Sequence, residues 1–366
     1  MTGLKNRYLS LDVFRGLDVA LMIIVNSPGQ GSTSFSPLMH AEWHGFTLTD
    51  LVFPTFLFVV GNSMSFSLPK YESMGDGAFL KKVLKRALII FLLGFLMYWF
   101  PFFENGAMKP FAETRIFGVL QRIALCYFFG SIIIHYFKTN GAIYFGIFAL
   151  LVYQVILALF GDLSMAGNAG SKLDLLLFSE SHLYHGEGVV FEPEGLLSTL
   201  PSIVNVIIGF IAGAYLQRNG KNFETIAKML MVGAAFVVIA LGWDLVFPIN
   251  KKLWTSSFVM LTTGIDLIVL SSLVYILDMG KKIKWSYFFE VFGKNTLFIY
   301  ILSEVFVISL YLIQIDGTSA FRWIADHFFI SWMGDYMGSL GFALWIMLTC
   351  WLVGYILDKK KIYIKV

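Results

Sequence analysis

The chain has 366 residues, of which 57% are hydrophobic and 17% aromatic, and its mean hydropathy is +0.74. Only 14% are charged, against about 25% in ordinary soluble domains, so the composition excludes a soluble protein with a single anchor and indicates a polytopic membrane protein. The formal net charge of +3 gives no reason to expect a nucleic-acid partner.

Ten apolar segments approach the length of a membrane-spanning helix, which needs about 20 predominantly apolar residues. In chain order they are 11–27, 47–68, 83–102, 116–137, 142–160, 197–217, 226–247, 254–277, 288–312 and 338–357. The first is short by strict hydropathy because it contains Asp12, Arg15 and Asp18. We predict an all-α integral membrane protein of about ten transmembrane helices, folded as a single domain over residues 1–366 with a central polar cavity.

Lys and Arg concentrate in loops on one side of this arrangement. An even number of spans places both termini on the same side, and the positive-inside rule makes that side the cytoplasm. The segments assigned to it, which hold 20 of the 27 Lys and Arg, are Met1–Arg15, 69–86, Lys138, Arg218–Lys228, Lys281–Lys294 and the tail from Asp358. The predicted orientation is N-in and C-in, with exterior loops between the first two spans, at 161–196 and at 313–337.

Several ionisable residues lie inside predicted spans, where they are costly and usually face a protein interior or a water-filled cavity. Asp12, Arg15 and Asp18 recur every three residues and share a face of the first helix. A snorkelling ion pair at the helix end explains the first two as well as a cavity wall does. Single polar residues in later spans each favour a helix–helix hydrogen bond, although their number favours a polar interior. They are Asn205, Asp244, Asp266 and Glu304.

Gln121 and Arg122 are neighbours in the fourth predicted span, within the sequence GVLQRIALCYF. Arg122 lies close enough to the exterior boundary for snorkelling to explain it. A guanidinium at this depth can also bind a carboxylate, a phosphate or a carbonyl through paired donors. Both interpretations stay open from the residues alone.

The stretch SPLMHAEWHGFTLTDLVFPTFLF, residues 36–58, places His40, Trp43 and His44 just before the second span, and Asn26 ends the first. An imidazole can act as a general base or a nucleophile, and an amide can bind a carbonyl or a developing oxyanion. Together they suffice for acyl transfer to an amine or a hydroxyl. Interfacial anchoring by aromatic residues is the commoner explanation of such a stretch.

No residue pattern indicates a metal site. His182 and His185 are three residues apart in a loop with scattered acids, which favours a solvated loop. Cys126 and Cys350 both fall in apolar segments, so we expect neither a disulfide nor a metal ligand from them.

Seven stretches in order resemble the heparan-α-glucosaminide N-acetyltransferase family and its bacterial relatives. They are SLDVFRG (10–16), VN (25–26), HAEWHGFTLTDLVFPTFLFVVGNS (40–63), GVLQRIALCYF (118–128), EPEGLLSTLPSIVNVIIGFIAG (192–213), FPINKKLWTSSFV (247–259) and FGKNTLFIY (292–300). The resemblance implies transfer of acetyl from cytosolic acetyl-CoA to the amino group of a terminal glucosamine, or a related amino sugar, on the far side of the membrane.

The resemblance also implies roles for particular residues. His40 matches the catalytic histidine, as a base or an acetyl carrier, and Asn26 matches the asparagine that ends the first helix. The residues implied for acetyl-CoA are Asp12, Arg15, Gln121, Arg122 and Asn205. Those implied for the acceptor sugar are Trp43, Asp50, Glu194, Asn250, Lys252 and Trp254.

The chain departs from the animal members of the family, which carry an extra lumenal domain ahead of the first helix. This implies a bacterial homologue in the inner membrane, with a periplasmic exterior face and a homodimer as the assembly seen in animal relatives. Two other functions stay open: an O-acyltransferase of a polysaccharide or lipid hydroxyl, and a transporter. A transporter is expected to show two related halves, which the sequence does not.

Overall fold

The computed structural model describes residues 8–29, 34–104, 106–280 and 284–364, with only the backbone at residue 104. Five of the basic residues used for the predicted orientation lie outside these ranges: Lys5, Arg7, Lys281, Lys282 and Lys365. The orientation prediction at those positions is therefore outside the described residues.

Helices dominate the described chain. The α-helices are α1 (Leu9–Asn26), α2 (Leu48–Glu72), α3 (Asp76–Trp99), α4 (Val119–Phe160), α5 (Ala169–Phe178), α6 (Thr199–Asn219), α7 (Phe223–Asp244), α8 (Ser256–Leu273), α9 (Ser286–Lys294), α10 (Thr296–Leu312), α11 (Ala320–Ala325), α12 (Ser331–Met333) and α13 (Asp335–Lys359). Wider helical turns cover Val274–Met279 and Asp326–Ile330, and 3-10 turns cover Ser36–Leu38, Phe111–Glu113 and Glu180–His182. Two antiparallel hairpins pair β1 (Phe103–Glu104) with β2 (Ala107–Met108) and β3 (Gln314–Ile315) with β4 (Thr318–Ser319).

The helical character predicted from the apolar segments is confirmed. Each of the ten predicted segments overlaps a helix of the described chain. Among the described residues six helices are long and apolar enough to cross a membrane, or up to seven if the bent pair α9–α10 counts as one span. These helices make the chain a multi-pass membrane protein by length and composition, and they leave the count of ten spans as a prediction.

Two predicted segments merge into α4, which runs for 42 residues with a break at Lys138. The backbone of Lys138 has φ 54° and ψ −173°, which is not helical. One turn earlier, His135 bonds Glu72 through Nδ1 at 2.9 Å and Asp76 through Nε2 at 3.0 Å. The break thus lies where the predicted loop at Lys138 separates the two segments, next to side chains that hold α4 against the turn between α2 and α3.

The predicted span 288–312 is wrong as a single straight helix. α9 and α10 meet at Asn295 with a bend of 85°, and Asn295 has φ −130° and ψ 38°. The side chain of Asn295 donates to the carbonyl oxygen of Ile362 at 3.1 Å and accepts from the amide of Ile364 at 2.8 Å. The corner is therefore stabilised by the C-terminal tail, a contact that local hydropathy cannot reveal.

Contacts divide the chain into two compact units, described separately below. Unit 1 contains the chain up to Ala41, Phe46–Phe56 and the part from Val269 onward. Unit 2 contains Glu42–Gly45 and Leu57–Ile268.

In unit 1, α1 packs closely on α9. A side chain at Gly16 would overlap the carbonyl oxygen of Phe289, and one at Gly293 would overlap that of Asp12, so both positions need glycine for this approach. α1 also begins where the carboxylate of Asp278 accepts hydrogen bonds from the first free amides, those of Leu9 at 3.1 Å and Ser10 at 3.2 Å. These contacts fix the position of α1, which carries Asn26 at its end.

Unit 2 is built around α4, which packs against α3 and α6. An apolar groove of about 660 Å³ lies among α4, α6, α7 and α8, lined by side chains such as Ile147, Ile208 and Met260. None of the predicted site residues lines this groove. The predicted polar cavity is therefore a different feature and stays a prediction.

Candidate functional site

His40 and Asp50 form a close pair in unit 1. The Nδ1 atom of His40 lies 2.7 Å from Oδ1 of Asp50, which is in the first turn of α2. The side chain of Asp50 is 1% exposed, whereas that of His40 is 46% exposed. A buried carboxylate thus holds an imidazole that remains accessible.

The second oxygen of Asp50 fixes the loop that carries His40. Oδ2 accepts from the backbone amides of Ala41 at 3.1 Å and Thr47 at 3.0 Å. The hydroxyl of Thr47 donates to the carbonyl of Met39 at 2.7 Å, which ties the loop to the start of the helix. Because both oxygens of Asp50 have protein partners, the pair is locked in place before any ligand arrives.

This arrangement sets the chemistry of the imidazole. An ionised carboxylate only accepts hydrogen bonds, so in the neutral tautomer that fits Asp50 the hydrogen is on Nδ1 and Nε2 is the basic nitrogen. The same carboxylate stabilises the imidazolium that forms when Nε2 takes a proton. His40 can therefore act as a general base through Nε2.

Asn26 has an acidic partner of its own in unit 1. Its Nδ2 donates to Oε1 of Glu304 on α10 at 3.3 Å, and the Asn26 side chain is otherwise exposed at the end of α1. The predicted catalytic residues are thus each paired with a carboxylate. From the sequence alone Glu304 favours a helix–helix contact, and the one signal of a further role is that it is a lone acid in an apolar helix.

Asp12 and Arg15, predicted to bind acetyl-CoA, lie at the junction of α1 and α9. The guanidinium of Arg15 is 3.6 Å from Asp12 and donates from Nη1 to the carbonyl oxygen of Gly293 at 3.0 Å. Both side chains are partly exposed. The Asp12–Arg15 ion pair, which explains these residues without a ligand, is therefore present. Their role in binding acetyl-CoA stays a prediction.

In unit 2, Arg122 is completely buried against Trp254. Its guanidinium lies 4.9 Å from the Trp254 ring, and Nη2 donates to the hydroxyl of Ser198 and to the carbonyl oxygen of Gly195. Trp254 in turn donates to Oδ1 of Asn205 at 3.1 Å. The structure thus joins two residues predicted for acetyl-CoA to one predicted for the sugar.

Several polar atoms around Arg122 have no hydrogen-bond partner among the described residues. They are Nε and Nη1 of Arg122 and both amide atoms of Gln121, whose side chain is also fully buried. Unpaired buried polar groups are costly and are normally satisfied. The adjacent pair Gln121–Arg122 therefore has free donors and an acceptor that a polar ligand can use.

Three other predicted sugar-binding residues, Trp43, Asn250 and Lys252, lie in or contact the segment 42–45 of unit 2. Trp43 donates from Nε1 to the carbonyl oxygen of Leu163 at 2.8 Å, and Nδ2 of Asn250 lies 3.3 Å from Nδ1 of His44. Lys252 pairs with Glu187 at 2.7 Å. Asn250 is completely buried, whereas the side chain of Lys252 is partly exposed.

Glu194, also predicted for the sugar, belongs to a cluster around Arg115. Arg115 binds Glu192 through two hydrogen bonds and Glu194 through one of 2.7 Å, and its guanidinium lies over the rings of Tyr98 and Tyr184. Burial opposes the charge of Arg115, but the two carboxylates outweigh it and raise its pKa above the usual range. Burial raises the pKa of Glu192 although Arg115 acts in the opposite direction.

The sequence does not point to Arg115, because nothing in the residues around it indicates partners 77 and 79 positions away. The cluster holds the loop before α6 against the segment that leads into α4. It therefore helps to fix Gly195 and Ser198, the partners of Arg122.

Among the described residues no group of three or more His, Cys, Asp or Glu is arranged to hold a metal ion.

The six or seven candidate spans among the described residues indicate a multi-pass membrane protein. Its candidate base is His40, held by Asp50 at the start of α2. The sequence profile of the family described as heparan-alpha-glucosaminide N-acetyltransferase, catalytic, matches residues 7–247, and the chain belongs to this family. The resemblance recognised from the sequence is therefore confirmed. The matched region includes Asn26, His40 and Asp50, as well as Arg122.

Two animal proteins are similar over nearly the whole chain. The heparan-alpha-glucosaminide N-acetyltransferase of Mus musculus is 26% identical over 423 aligned positions, covering 99% of this chain and 61% of the relative. That of Homo sapiens is 26% identical over 427 positions, covering 100% of this chain and 61% of the relative. The chain thus spans 61% of the length of these relatives.

Proposed function

We propose that the chain is a transmembrane acetyltransferase that uses cytosolic acetyl-CoA and acetylates the amino group of an amino sugar, such as a terminal glucosamine, on the exterior side. Membership of the family and the apolar helices support the class of enzyme. The observation that carries the proposal is the His40–Asp50 pair, because an accessible imidazole held by a buried carboxylate is what removal of a proton from an amine requires.

In the proposed reaction Nε2 of His40 removes the proton from the acceptor amine. Acetyl-CoA supplies the acetyl group as an activated thioester. The amine nitrogen forms a bond to the acetyl carbon as the carbon–sulfur bond breaks, and His40 then passes the proton to the departing thiolate. Asp50 keeps His40 in the reactive tautomer.

We assign Asp50 to positioning His40 and not to direct contact with the sugar, because both its oxygens already have protein partners. Asn26 would stabilise the negative charge that develops on the acetyl oxygen, since its amide nitrogen has a second hydrogen beyond the one given to Glu304. We favour direct transfer over an acetyl-His40 intermediate. Labelled acetyl trapped on the protein without an acceptor would favour the intermediate.

Gln121, Arg122 and Asn205 are proposed to bind the polar part of acetyl-CoA that enters the bundle. The pantetheine arm carries amide groups, and the free polar atoms of Gln121 and Arg122 fit such groups. Asp12 and Arg15 are proposed to contact it nearer the cytoplasm. On the acceptor side we propose Trp43, Glu194, Asn250, Lys252 and Trp254.

The proposal includes the predicted topology. If α4 crosses twice, with its break at Lys138 between the two crossings, ten crossings would put both termini on one side, which we propose is the cytoplasm of a bacterial cell with this chain in its inner membrane. The loop of His40 would then face the periplasm, opposite the Lys- and Arg-rich loops. An enzyme of this topology must bring its two substrates together from opposite sides.

The experiment that tests the function uses purified protein, radiolabelled acetyl-CoA and a panel of amino sugars with their hydroxyl analogues. We expect labelled N-acetyl sugar from the wild type and a loss of about 10²-fold or more with His40→Ala. The matched control is His327→Ala, since His327 is an exposed histidine stacked on Trp323. Transfer to hydroxyl analogues alone, or full turnover by His40→Ala, would contradict the proposal.

A further inference from the structure

Glu304 is the only Asp, Glu, Lys, Arg or His in α10, whose sequence is otherwise TLFIYILS and VFVISLYL. A carboxylate within such a helix is costly and persists where it has a specific partner. The partner here is Asn26, 278 positions earlier in the chain, with Nδ2 of Asn26 at 3.3 Å from Oε1 of Glu304. α1 and α10 also pack against each other, so the contact joins two helices of unit 1.

The chemistry of the two groups decides which way the amide points. An ionised carboxylate can only accept hydrogen bonds, whereas an amide has a donating nitrogen and an accepting oxygen. Beside Glu304, the Asn26 amide therefore directs its nitrogen toward the carboxylate. One hydrogen of that nitrogen is engaged, and the second is left in a defined direction.

We propose that Glu304 is a positioning residue, which orients the Asn26 amide so that its second N–H is presented to the acetyl oxygen during transfer. This inference rests on the proposed function, because it assumes the role given there to Asn26. Glu304 itself does not contact the reacting atoms. Its removal should allow the amide to rotate, which weakens stabilisation of the transition state more than it weakens substrate binding.

The test compares two substitutions of Glu304 in the full-length protein. Glu304→Gln keeps an acceptor oxygen at the same distance along the side chain, and we expect it to retain most of the wild-type kcat. Glu304→Leu has no acceptor, and we expect kcat to fall by about tenfold or more with little change in the KM for acetyl-CoA. Its melting temperature should equal or exceed that of the wild type, because leucine suits a membrane helix better than a carboxylate.

The control is Ser309→Ala, which removes a hydroxyl on the same helix that donates to the carbonyl oxygen of Val305. It should leave kcat unchanged. In an Asn26→Ala background, Glu304→Leu should add no further loss, since a residue that acts through Asn26 has nothing left to orient.

The outcomes separate this inference from the proposed function. If Glu304→Leu keeps its kcat while His40→Ala and Asn26→Ala lose theirs, the inference is overturned and the proposed function stands. If Glu304→Leu and Glu304→Gln lose stability and activity together, Glu304 is structural and the inference is again overturned. If Asn26→Ala keeps its activity, the proposed role of Asn26 fails, and the inference with it.

Discussion

His40 and Asp50 are ten positions apart, yet their chemistry depends on a contact that no local pattern specifies. The short segment between them turns back so that Asp50, at the start of α2, reaches both the imidazole and the loop backbone. Asp50 is thus at once a helix-start residue and the partner of the candidate base. Replacing it should change the tautomer and orientation of the His40 imidazole.

Asp50→Asn tests this role directly. An asparagine of the same shape can direct its NH₂ at Nδ1 of His40, which would move the imidazole hydrogen to Nε2 and remove the base. We expect kcat to fall by about 10²-fold or more with the protein still folded. Steady-state kinetics with a melting curve measures both, and unchanged kcat would contradict the pairing.

At the residue scale, the sequence points to His40 and Asn26 but not to Asp50 as the partner of His40 or to Glu304 as the partner of Asn26. A residue type and its position identify a group that can do chemistry. They do not identify its partner when that partner is 278 positions away, as for Asn26 and Glu304. Arg115 was missed for the same reason.

At the element scale, the helices follow from the apolar runs. A segment in lipid must satisfy its own backbone hydrogen bonds, which a helix does, and about 20 apolar residues are needed to cross the bilayer. The 85° bend at Asn295 does not follow from hydropathy, because the polar residues Lys294, Asn295 and Thr296 can mark a break without setting its angle. It depends on hydrogen bonds to Ile362 and Ile364 in the tail. Hydropathy thus locates elements and leaves their relative angles to tertiary contacts.

α5 is attached to the loop before α6 by a buried carboxylate, and this attachment should depend on pH. Asp174 is 1% exposed and accepts from the amide of Leu196 at 3.0 Å. Burial raises the pKa of Asp174 from 3.8 to about 6. The folded state thus holds this proton more tightly than the unfolded chain, so the stability from Asp174 is complete below pH 3.8 and is lost as the pH rises through about 6.

Asp174→Asn removes the charge and keeps an oxygen for Leu196. We expect it to be more stable than the wild type at pH 8, by on the order of 2–3 kcal/mol at most, with the difference shrinking toward pH 4. Thermal unfolding in detergent between pH 4 and pH 8 measures this difference in stability. The control is the same change at an exposed aspartate, Asp316→Asn. A variant less stable than the wild type at every pH would refute the assignment.

At the scale of the whole molecule, the chain belongs to a family whose named animal members are longer, and it spans 61% of their length. The candidate base and its carboxylate lie in one compact unit, and the buried pair Gln121–Arg122 lies in the other. The central requirement of the reaction proposed above is that acetyl crosses the membrane while CoA does not. That requirement distinguishes the proposed function from that of a soluble acetyltransferase and from transport.

The most direct measurement is acetyl transfer across a sealed membrane. The protein is reconstituted in proteoliposomes of known orientation, with labelled acetyl-CoA on the side of the Lys-rich segment 69–86, where α2 turns into α3, and glucosamine on the other. The account predicts labelled N-acetylglucosamine on the glucosamine side, and none with His40→Ala or with the two substrates exchanged. Product formed only when both substrates share one side, or glucosamine uptake without acetylation, would contradict it.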